Sequence, residues 1–145
     1  MNEEEYLDKR LEDQINWYSR KSQFNQRWHK RLRLIEIVLA SIIPFLAGMK
    51  NNIPYSEWII GGLGVIIAGT AAAISLYKLQ ENWIQYRTTA ETLKHEKFLY
   101  LTKTTPYTSE NSFTQLVQRV ESLISKENYQ WDMYAKKQEK LTSNA

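Results

Sequence analysis

The residues that decide the fold are 58–77, which read WIIGGLGVIIAGTAAAISLY and carry no charged side chain. At 1.5 Å per residue, a helix of this length measures about 30 Å, the thickness of the hydrocarbon layer of a bilayer. A buried helix in a water-soluble protein would need apolar partners on every side, and the polar ends of this chain do not supply them. The stretch therefore predicts a membrane-spanning helix.

A second apolar stretch precedes it at residues 32–49, with the sequence LRLIEIVLASIIPFLAGM. Arg33 and Glu36 interrupt its first turns, but an arginine near the end of a span can extend its charge to the headgroups. Pro44 is tolerated in a spanning helix because neighbouring helices satisfy the freed carbonyl. The connecting residues, KNNIPYSE, are too few for more than a tight turn. The pattern predicts an all-α membrane protein built on a two-transmembrane helical hairpin.

Basic residues close to the spans predict the orientation, because the cytoplasmic loops of membrane proteins carry an excess of Lys and Arg. The connection between the spans holds Lys50 alone, whereas the outer flanks hold Arg20, Lys21, Arg27, Lys30, Arg31, Arg33, Lys78 and Arg87. Aromatic residues bracket the spans at Trp28, Tyr55, Trp58, Tyr77 and Trp83, as in the aromatic belts of membrane proteins. We therefore expect both termini in the cytoplasm. The first six residues are acidic and polar, so no cleaved signal peptide is expected.

Six segments follow from this division of the chain. They are a cytoplasmic N-terminal helix (1–31), transmembrane helix 1 (32–50), a short external loop (51–57), transmembrane helix 2 (58–77), a cytoplasmic helical extension (78–104) and a C-terminal amphipathic helix with its tail (105–145). No Pro or Gly lies between Met1 and Ile43, so the first helix is expected to run unbroken into the membrane. The second helix is likewise expected to continue beyond its span.

The C-terminal helix is expected to begin at Ser112, with Gln115 completing a capping pair. Its apolar positions keep a mostly seven-residue rhythm and are Phe113, Leu116, Val117, Val120, Leu123, Ile124, Trp131 and Tyr134. An amphipathic helix of this kind needs a partner for its apolar face. The partner is either the cytoplasmic extensions of the two spans or the same helix of another subunit.

Composition excludes several classes of function. A net charge of +3 is too small to indicate nucleic-acid binding, and no motif of the common nucleic-acid modules is present. There is no cysteine and there are only two histidines, His29 and His95, on opposite sides of the apolar region. We therefore expect no metal, no cofactor and no catalytic residues, since neither paired carboxylates nor a nucleophile with a base occurs at membrane depth.

Several segments resemble the SLATT family, which comprises two-span bacterial membrane proteins associated with nucleotide-signalling conflict systems. The resemblance covers nearly the whole chain, and its most specific part is the pattern Tyr86, Arg87, Thr89, Ala90, Glu91, Leu93, Lys94 and Glu96, followed by Tyr107 after Pro106. It implies an effector that forms oligomeric pores in the membrane and that, in some relatives, is triggered by a separate sensor protein. We expect no fused nucleotide-binding domain, so any trigger would come from a separate protein.

Three sets of residues are candidate sites. The first is a set of pore-lining or helix-packing residues on the second span: Gly61, Gly64, Ala68, Thr70, Ala72 and Ser75. Small residues let helix backbones approach closely in lipid, so this face packs on the first span or contacts another subunit. In the latter case Thr70 and Ser75 would offer hydroxyls to a pore.

The second set is an acidic vestibule for cations, formed by Glu36 and Glu81, because an ionisable group near membrane depth is a functional candidate. The alternative is an ion pair of Glu36 with Arg33, Arg31 or Lys78. The third set is the mixed-charge segment Arg87, Glu91, Lys94 and Glu96. It forms either salt bridges between cytoplasmic helices or a docking site for an activating partner.

Two hypotheses of function follow. In the first, the chain forms a homo-oligomeric ion-conducting pore in the bacterial inner membrane, an effector in a nucleotide-signalling defence system. Two helices cannot enclose a water path, so about four to six copies are expected. In the second, it is a non-conducting membrane anchor or scaffold that recruits a cytoplasmic partner through its helices. An enzyme is not expected in either case.

Overall fold

The computed structural model describes residues 2–49 and 52–143, without the side chains of residues 131, 134, 135 and 138–143. Helix is the regular secondary structure of the described residues, which contain no strand. The elements are α1 (Glu3–Glu5), a π-helical turn (Tyr6–Leu11), α2 (Glu12–Gly48), α3 (Ser56–Tyr77), α4 (Leu79–Leu101) and α5 (Ser112–Ser143). The predicted all-α class is confirmed. Three residues named above lie outside what the structure describes: Lys50 entirely, and Trp131 and Tyr134 in their side chains.

The N-terminal helical run begins at Asn2, whose side-chain oxygen accepts a hydrogen bond of 2.8 Å from the backbone N–H of Glu5. Three glutamates in this first turn favour the positive end of the helix dipole. The run then passes through the π-helical turn into α2, which continues through Pro44 to Gly48. The unbroken path from the polar N-terminus into the first apolar stretch is therefore as predicted.

The chain continues as helix beyond its second apolar stretch, but with one break, at Lys78, that the sequence did not predict. Lys78 adopts a left-handed conformation, with φ 45° and ψ 40°, between α3 and α4. The side-chain amide of Asn82 donates a hydrogen bond of 3.0 Å to the carbonyl of Tyr77. This bond satisfies a carbonyl that the break removes from the helical ladder. Because no Gly or Pro marks the break, the sequence pattern did not reveal it.

Helix α5 also begins slightly differently from the prediction. Its first residue is Ser112, and the N–H of Gln115 donates to the carbonyl of Asn111 at 3.1 Å. The residue in the capping position is therefore Asn111, and Ser112 is already helical. Asparagine is among the preferred residues at this position because its side chain can also accept from the first turn.

The chain forms two compact units. The bundle unit joins Met1–Ser19 to Arg87–Ala145, and the apolar unit is Arg20–Tyr86. The boundaries between them fall inside α2 and α4. The core of the bundle unit comes from its three helical segments and the turn before α5: Tyr6, Leu11, Ile15, Tyr18, Ala90, Leu93, Tyr107, Leu116, Val120 and Ile124. The apolar face of α5 is thus covered by the chain's own N-terminal and α4 segments, which is the first of the two partners that the sequence allowed.

Candidate functional site

The apolar unit leaves its most apolar helix uncovered. Helix α3 has 22 residues, and none of its most apolar stretch is buried. Val65 is 73% exposed and Leu76 is 76% exposed. Among the described residues, one helical run, Ser56–Leu101, contains a stretch long and apolar enough to cross a membrane. Exposed apolar surface of this extent marks a contact with lipid or protein.

The apolar end of α2 does not meet the same criterion of length and composition. The last eighteen residues of the helix, 31–48, include Arg31, Arg33 and Glu36. From residue 37 to residue 48 the charge-free part measures only about 18 Å. A second span is therefore not confirmed, and the two-span hairpin is not established. The side chains in this part are nevertheless uncovered as in α3, since Leu34, Ile37 and Phe45 are all more than half exposed.

Both apolar helices are covered along one side only. The half-buried positions recur at three- and four-residue steps, at Leu32, Glu36, Leu39, Ile43 and Leu46 on α2 and at Ile60, Leu63, Ile67, Thr70 and Ile74 on α3. Such steps place residues on one stripe of a helix. The covered side of α3 thus carries bulky residues, but other bulky residues, such as Val65, Ile66 and Leu76, lie on its uncovered side.

The small residues of α3 lie mainly on its uncovered side. Gly61, Ala68 and Ala72 are exposed, and Gly64 is half-buried at the edge of the covered stripe. A Cβ atom built on Gly61 or Gly64 would meet nothing within 4 Å in the described chain. The close backbone approach that small residues permit is therefore not made within the chain at either glycine.

The two hydroxyl residues that were grouped with this face are separated by the helix. Ser75 is exposed, whereas Thr70 lies on the half-buried stripe. Five residues correspond to about 140° around a helix, so the two side chains point to different sides. The hydroxyl of Thr70 donates a hydrogen bond of 2.7 Å to the carbonyl of Ile66. Thr70 and Ser75 therefore do not belong to one pore-facing surface of α3.

The two residues of the predicted vestibule each have a cationic neighbour three positions earlier in the chain. The carboxylate of Glu36 accepts a hydrogen bond of 2.8 Å from Nη1 of Arg33, which is the ion pair that the sequence allowed. Glu81 lies 3.7 Å from the ammonium of Lys78. These pairs reduce the negative charge that either carboxylate presents.

The mixed-charge segment of α4 divides into an exposed part and a buried part. Glu91 forms an ion pair of 3.3 Å with Lys94 within α4, and both belong to an open groove with Arg87. The other residues of this groove are Thr88, Thr92, His95 and Phe98. Glu96 points the other way and is only 5% exposed. The segment thus contains both an exposed face and a salt bridge between helices.

Glu96 is the centre of a cluster that joins α4, the turn before α5 and α5. Nη2 and Nε of Arg119 donate to its two carboxylate oxygens at 2.7 and 3.0 Å, and the hydroxyl of Tyr107 donates to the same carboxylate. Burial acts to raise the pKa of Glu96, but the hydrogen bonds from Arg119 and Tyr107 together outweigh it, so the pKa lies below its ordinary value. Burial, with the hydrogen bond to Glu96, raises the pKa of Tyr107.

The sequence reasoning selected Glu96 and Tyr107 but missed Arg119. The signal for Arg119 was its position directly before Val120, which places a charge beside the buried stripe of α5. A charge at such a position is able to reach a partner on a neighbouring segment, but the position alone does not identify that partner.

A second set of polar contacts ties the N-terminal helix to the rest of the bundle unit. Nε and Nη2 of Arg10 each donate to the carboxylate of Glu121 at 3.1 Å, and the hydroxyl of Tyr6 donates to it as well. The hydrogen bonds from Arg10 lower the pKa of Glu121. The hydroxyl of Tyr18 donates to buried Glu127 at 2.6 Å. These contacts determine which faces of the helices meet.

The chain is thus an all-helical protein with a compact, ion-paired bundle unit and an apolar unit in which one helix is long and apolar enough to cross a membrane. It belongs to the DUF4231 family, described as proteins of unknown function, whose pattern matches residues 13–115. No curated protein and no solved structure is similar enough to this chain to count as a match. The family match concerns DUF4231 alone, so the resemblance to the SLATT family stays a prediction.

Proposed function

We propose that the chain is an integral protein of the bacterial inner membrane that crosses the bilayer twice, with both termini in the cytoplasm. The observation that carries this proposal is the uncovered apolar surface of α3 and of the end of α2, which belong to the same compact unit. A helix of 22 residues measures about 33 Å, which is enough to span the hydrocarbon layer. Lipid is the environment in which such a surface is stable.

The end of α2 serves as the other span in this proposal, although it is shorter and carries two charges. From Leu32 to Gly48 it measures about 26 Å. Glu36 enters the interface region already paired with Arg33, and pairing reduces the cost of placing a carboxylate at that depth. Arg33 is exposed, so its side chain is able to extend toward the headgroups.

We further propose that copies of the chain assemble into an ion-conducting pore, as the resemblance to SLATT proteins implies. Two features support assembly. The small residues Gly61, Ala68 and Ala72 are uncovered, which leaves a face suited to close helix contact in lipid. A single hairpin cannot enclose a water path, so conduction requires several copies.

The second candidate is a non-conducting scaffold, and a specific observation favours it. Thr70 bonds to its own helix, and Glu36 and Glu81 have cationic neighbours, so three of the candidate pore residues have partners within the chain. A scaffold would instead use the cytoplasmic helices to recruit a separate sensor, and the α4 groove that contains Arg87 and Glu91 is the surface for it. If Arg87→Ala and Glu91→Ala bind such a partner as wild type does, docking at this groove is excluded.

Ion flux through liposomes that contain the purified full chain distinguishes the two functions. The test substitution is Ala72→Leu, on the small-residue face, and its matched control is Ala71→Leu, about 100° away around the same helix. A pore assembled through this face predicts flux for wild type and the control, and a loss of oligomer and flux for Ala72→Leu. The absence of flux in every oligomeric state would refute the pore and favour the scaffold.

The orientation is tested separately by labelling. The chain has no cysteine, so Asn2→Cys and Lys137→Cys each provide a single reactive thiol near one terminus. Both should resist a membrane-impermeant maleimide in intact spheroplasts and react after lysis. Labelling of one terminus alone in intact cells would contradict the hairpin.

A further inference from the structure

The segment of α2 just before its apolar end carries basic and aromatic side chains on its uncovered side. Arg27, Trp28, Lys30 and Arg31 are all exposed, whereas His29 and Leu32 between them are half-buried. We call these four exposed residues the basic collar. They occupy about 160° of the helix circumference, on the side opposite the covered stripe.

The charge of the collar is not balanced by acidic residues. The sequence contains no Asp or Glu between Asp13 and Glu36. Within the described part of the chain, no carboxylate forms an ion pair with Arg27, Lys30 or Arg31. Arg33, one turn further on, is paired with Glu36 and is therefore not counted. Three uncompensated cations thus lie within two turns of one helix, which favours an anionic partner.

The position of the collar identifies the kind of partner. Arg27 lies about 8 Å along the helix from Leu32, where the apolar end begins, and a headgroup layer is about 5–8 Å thick. The uncovered side of the helix continues beyond the collar as exposed Leu34 and Val38. A soluble acidic protein would have to enter the headgroup layer to reach this surface.

The aromatic residues of the segment fit the same environment. Trp28 is 45% exposed, and its ring lies 6.2 Å from the ring of Phe24, which is also exposed. Tryptophan is enriched at the boundary between headgroups and acyl chains because its ring is apolar and its N–H is polar. The apolar stems of Arg and Lys can lie along acyl chains while their charges stay among the phosphates.

We propose that the basic collar binds the headgroups of anionic phospholipids, such as phosphatidylglycerol, in the cytoplasmic leaflet. The proposal rests on the membrane placement proposed above and adds a lipid preference to it. Each cation near an anionic surface contributes about a five-fold gain in association. The preference is electrostatic, so it weakens as salt concentration rises.

The test uses the full chain reconstituted in phosphatidylcholine vesicles with trace spin-labelled phosphatidylglycerol or phosphatidylcholine. Electron spin resonance gives the relative association of the two labelled lipids with the protein. Wild type should prefer phosphatidylglycerol, and the variant R27Q/K30Q/R31Q should lose at least about five-fold of that preference. The variant R27K/R31K keeps the charge and should keep the preference, which guards against a variant that simply fails to fold.

A matched control separates a local effect from the loss of net charge. The variant K103Q/K126Q/K137Q removes the same number of charges from exposed positions of the bundle unit. It should bind phosphatidylglycerol as wild type does. An equal loss in both triple variants would overturn the proposal, because the preference would then come from total charge.

The remaining outcomes are also decisive. Failure of wild type to remain with vesicles after an alkaline wash refutes the membrane placement itself, whereas stable insertion without lipid preference refutes the collar alone. Inorganic phosphate at constant ionic strength should not abolish the preference; if it does, the site takes phosphate rather than lipid. A last outcome concerns acidic peptides. If wild type shows no lipid preference but binds polyglutamate, and R27Q/K30Q/R31Q does not bind it, the collar binds acidic peptides and the lipid proposal fails.

Discussion

The bundle unit and the apolar unit differ in how far their large apolar side chains are buried. In the bundle unit, Leu11, Leu93 and Leu116 are completely buried, whereas in the apolar unit Val65 and Leu76 are about three-quarters exposed. A leucine contributes to stability in water only when neighbours cover it. In lipid, an uncovered leucine costs nothing because the acyl chains are equally apolar. The difference in coverage is the one that the proposed membrane placement requires, with water around the bundle unit and lipid around the apolar unit.

The ion pairs differ between the two units as well. In the bundle unit three of the described pairs join separate segments, namely Arg10–Glu121, Glu12–Lys97 and Glu96–Arg119, beside pairs within one helical run such as Glu91–Lys94. In the apolar unit, the described pairs Arg33–Glu36 and Lys78–Glu81 each join residues three positions apart, the first within α2 and the second between the break at Lys78 and the first turn of α4. Pairs between segments determine which helix faces meet, whereas pairs within a helix only neutralise charge locally.

The largest expected effect is on packing in the bundle unit. Leu116→Ala removes a completely buried side chain and should lower the free energy of unfolding by about 2–5 kcal/mol. Leu76→Ala makes the same change at an exposed position of the apolar unit and should cost less than about 1 kcal/mol. Denaturant unfolding of both variants in detergent, followed by circular dichroism, measures the difference. Equal losses would mean that the two units are covered alike.

The next effect concerns membrane retention. Val65→Lys places a charge on the uncovered side of α3 and should disfavour insertion by about 3 kcal/mol. Phe98→Lys makes a comparable change on the exposed side of the bundle unit and should leave insertion unaffected. The fraction of protein that stays in the membrane after an alkaline carbonate wash measures both. Full retention of Val65→Lys in the membrane would contradict the proposal that the uncovered side of α3 lies in lipid.

A smaller effect is expected from the buried carboxylate of the bundle unit. Glu96→Gln weakens the contacts with Arg119 and Tyr107 and should cost about 1–3 kcal/mol. Glu91→Gln breaks an exposed pair within α4 and should cost less than about 0.5 kcal/mol. Thermal unfolding of the two variants compares them. If Glu91→Gln is as destabilising as Glu96→Gln, coverage does not determine the strength of these pairs.

The same carboxylates give the bundle unit a predicted dependence on acid. The folded-state pKa values of Glu96 and Glu121 lie below the ordinary value. Their contribution is therefore fully present above the unfolded-state pKa of about 4.3 and is lost as pH falls through the lowered pKa values. The free energy of unfolding, measured from neutral to acid pH, should fall as pH drops below about 4.3. In the double variant E96Q/E121Q, the free energy of unfolding should depend less on pH. An unchanged slope in the double variant would exclude these groups.

The smallest effect concerns backbone conformation, and each unit offers one test. Lys78 in the apolar unit has φ 45°, and Lys103 in the bundle unit has φ 50°. Glycine adopts this conformation without steric cost, so Lys78→Gly and Lys103→Gly should each stabilise by about 0.5–1 kcal/mol. Lys126→Gly, inside α5, should destabilise by about 1 kcal/mol. Destabilisation by Lys78→Gly would show that α3 and α4 form one continuous helix.

Much of the helix pattern was predictable because it depends on local properties. The apolar run at residues 58–77, the absence of Gly and Pro before Ile43 and the rhythm of Leu116, Val120 and Ile124 each predict a helix that the structure contains. The break at Lys78 was not predictable, since it depends on a hydrogen bond from Asn82 to Tyr77 rather than on a helix-breaking residue. Of the charged residues, Glu96 was selected, but its partner Arg119 is 23 residues away in the chain.

The sequence by itself determined that the chain is helical and that its apolar residues are concentrated in the middle, because both properties follow from residue type and spacing. Only the tertiary structure decided which apolar residues are covered. It buries those of the bundle unit and leaves the small-residue side of α3 and the basic collar open. Coverage depends on contacts between segments far apart in the chain, such as Tyr6 with Phe113, and no local pattern specifies them. The same contacts determine which charged side chains are paired between segments, as Glu96 is with Arg119.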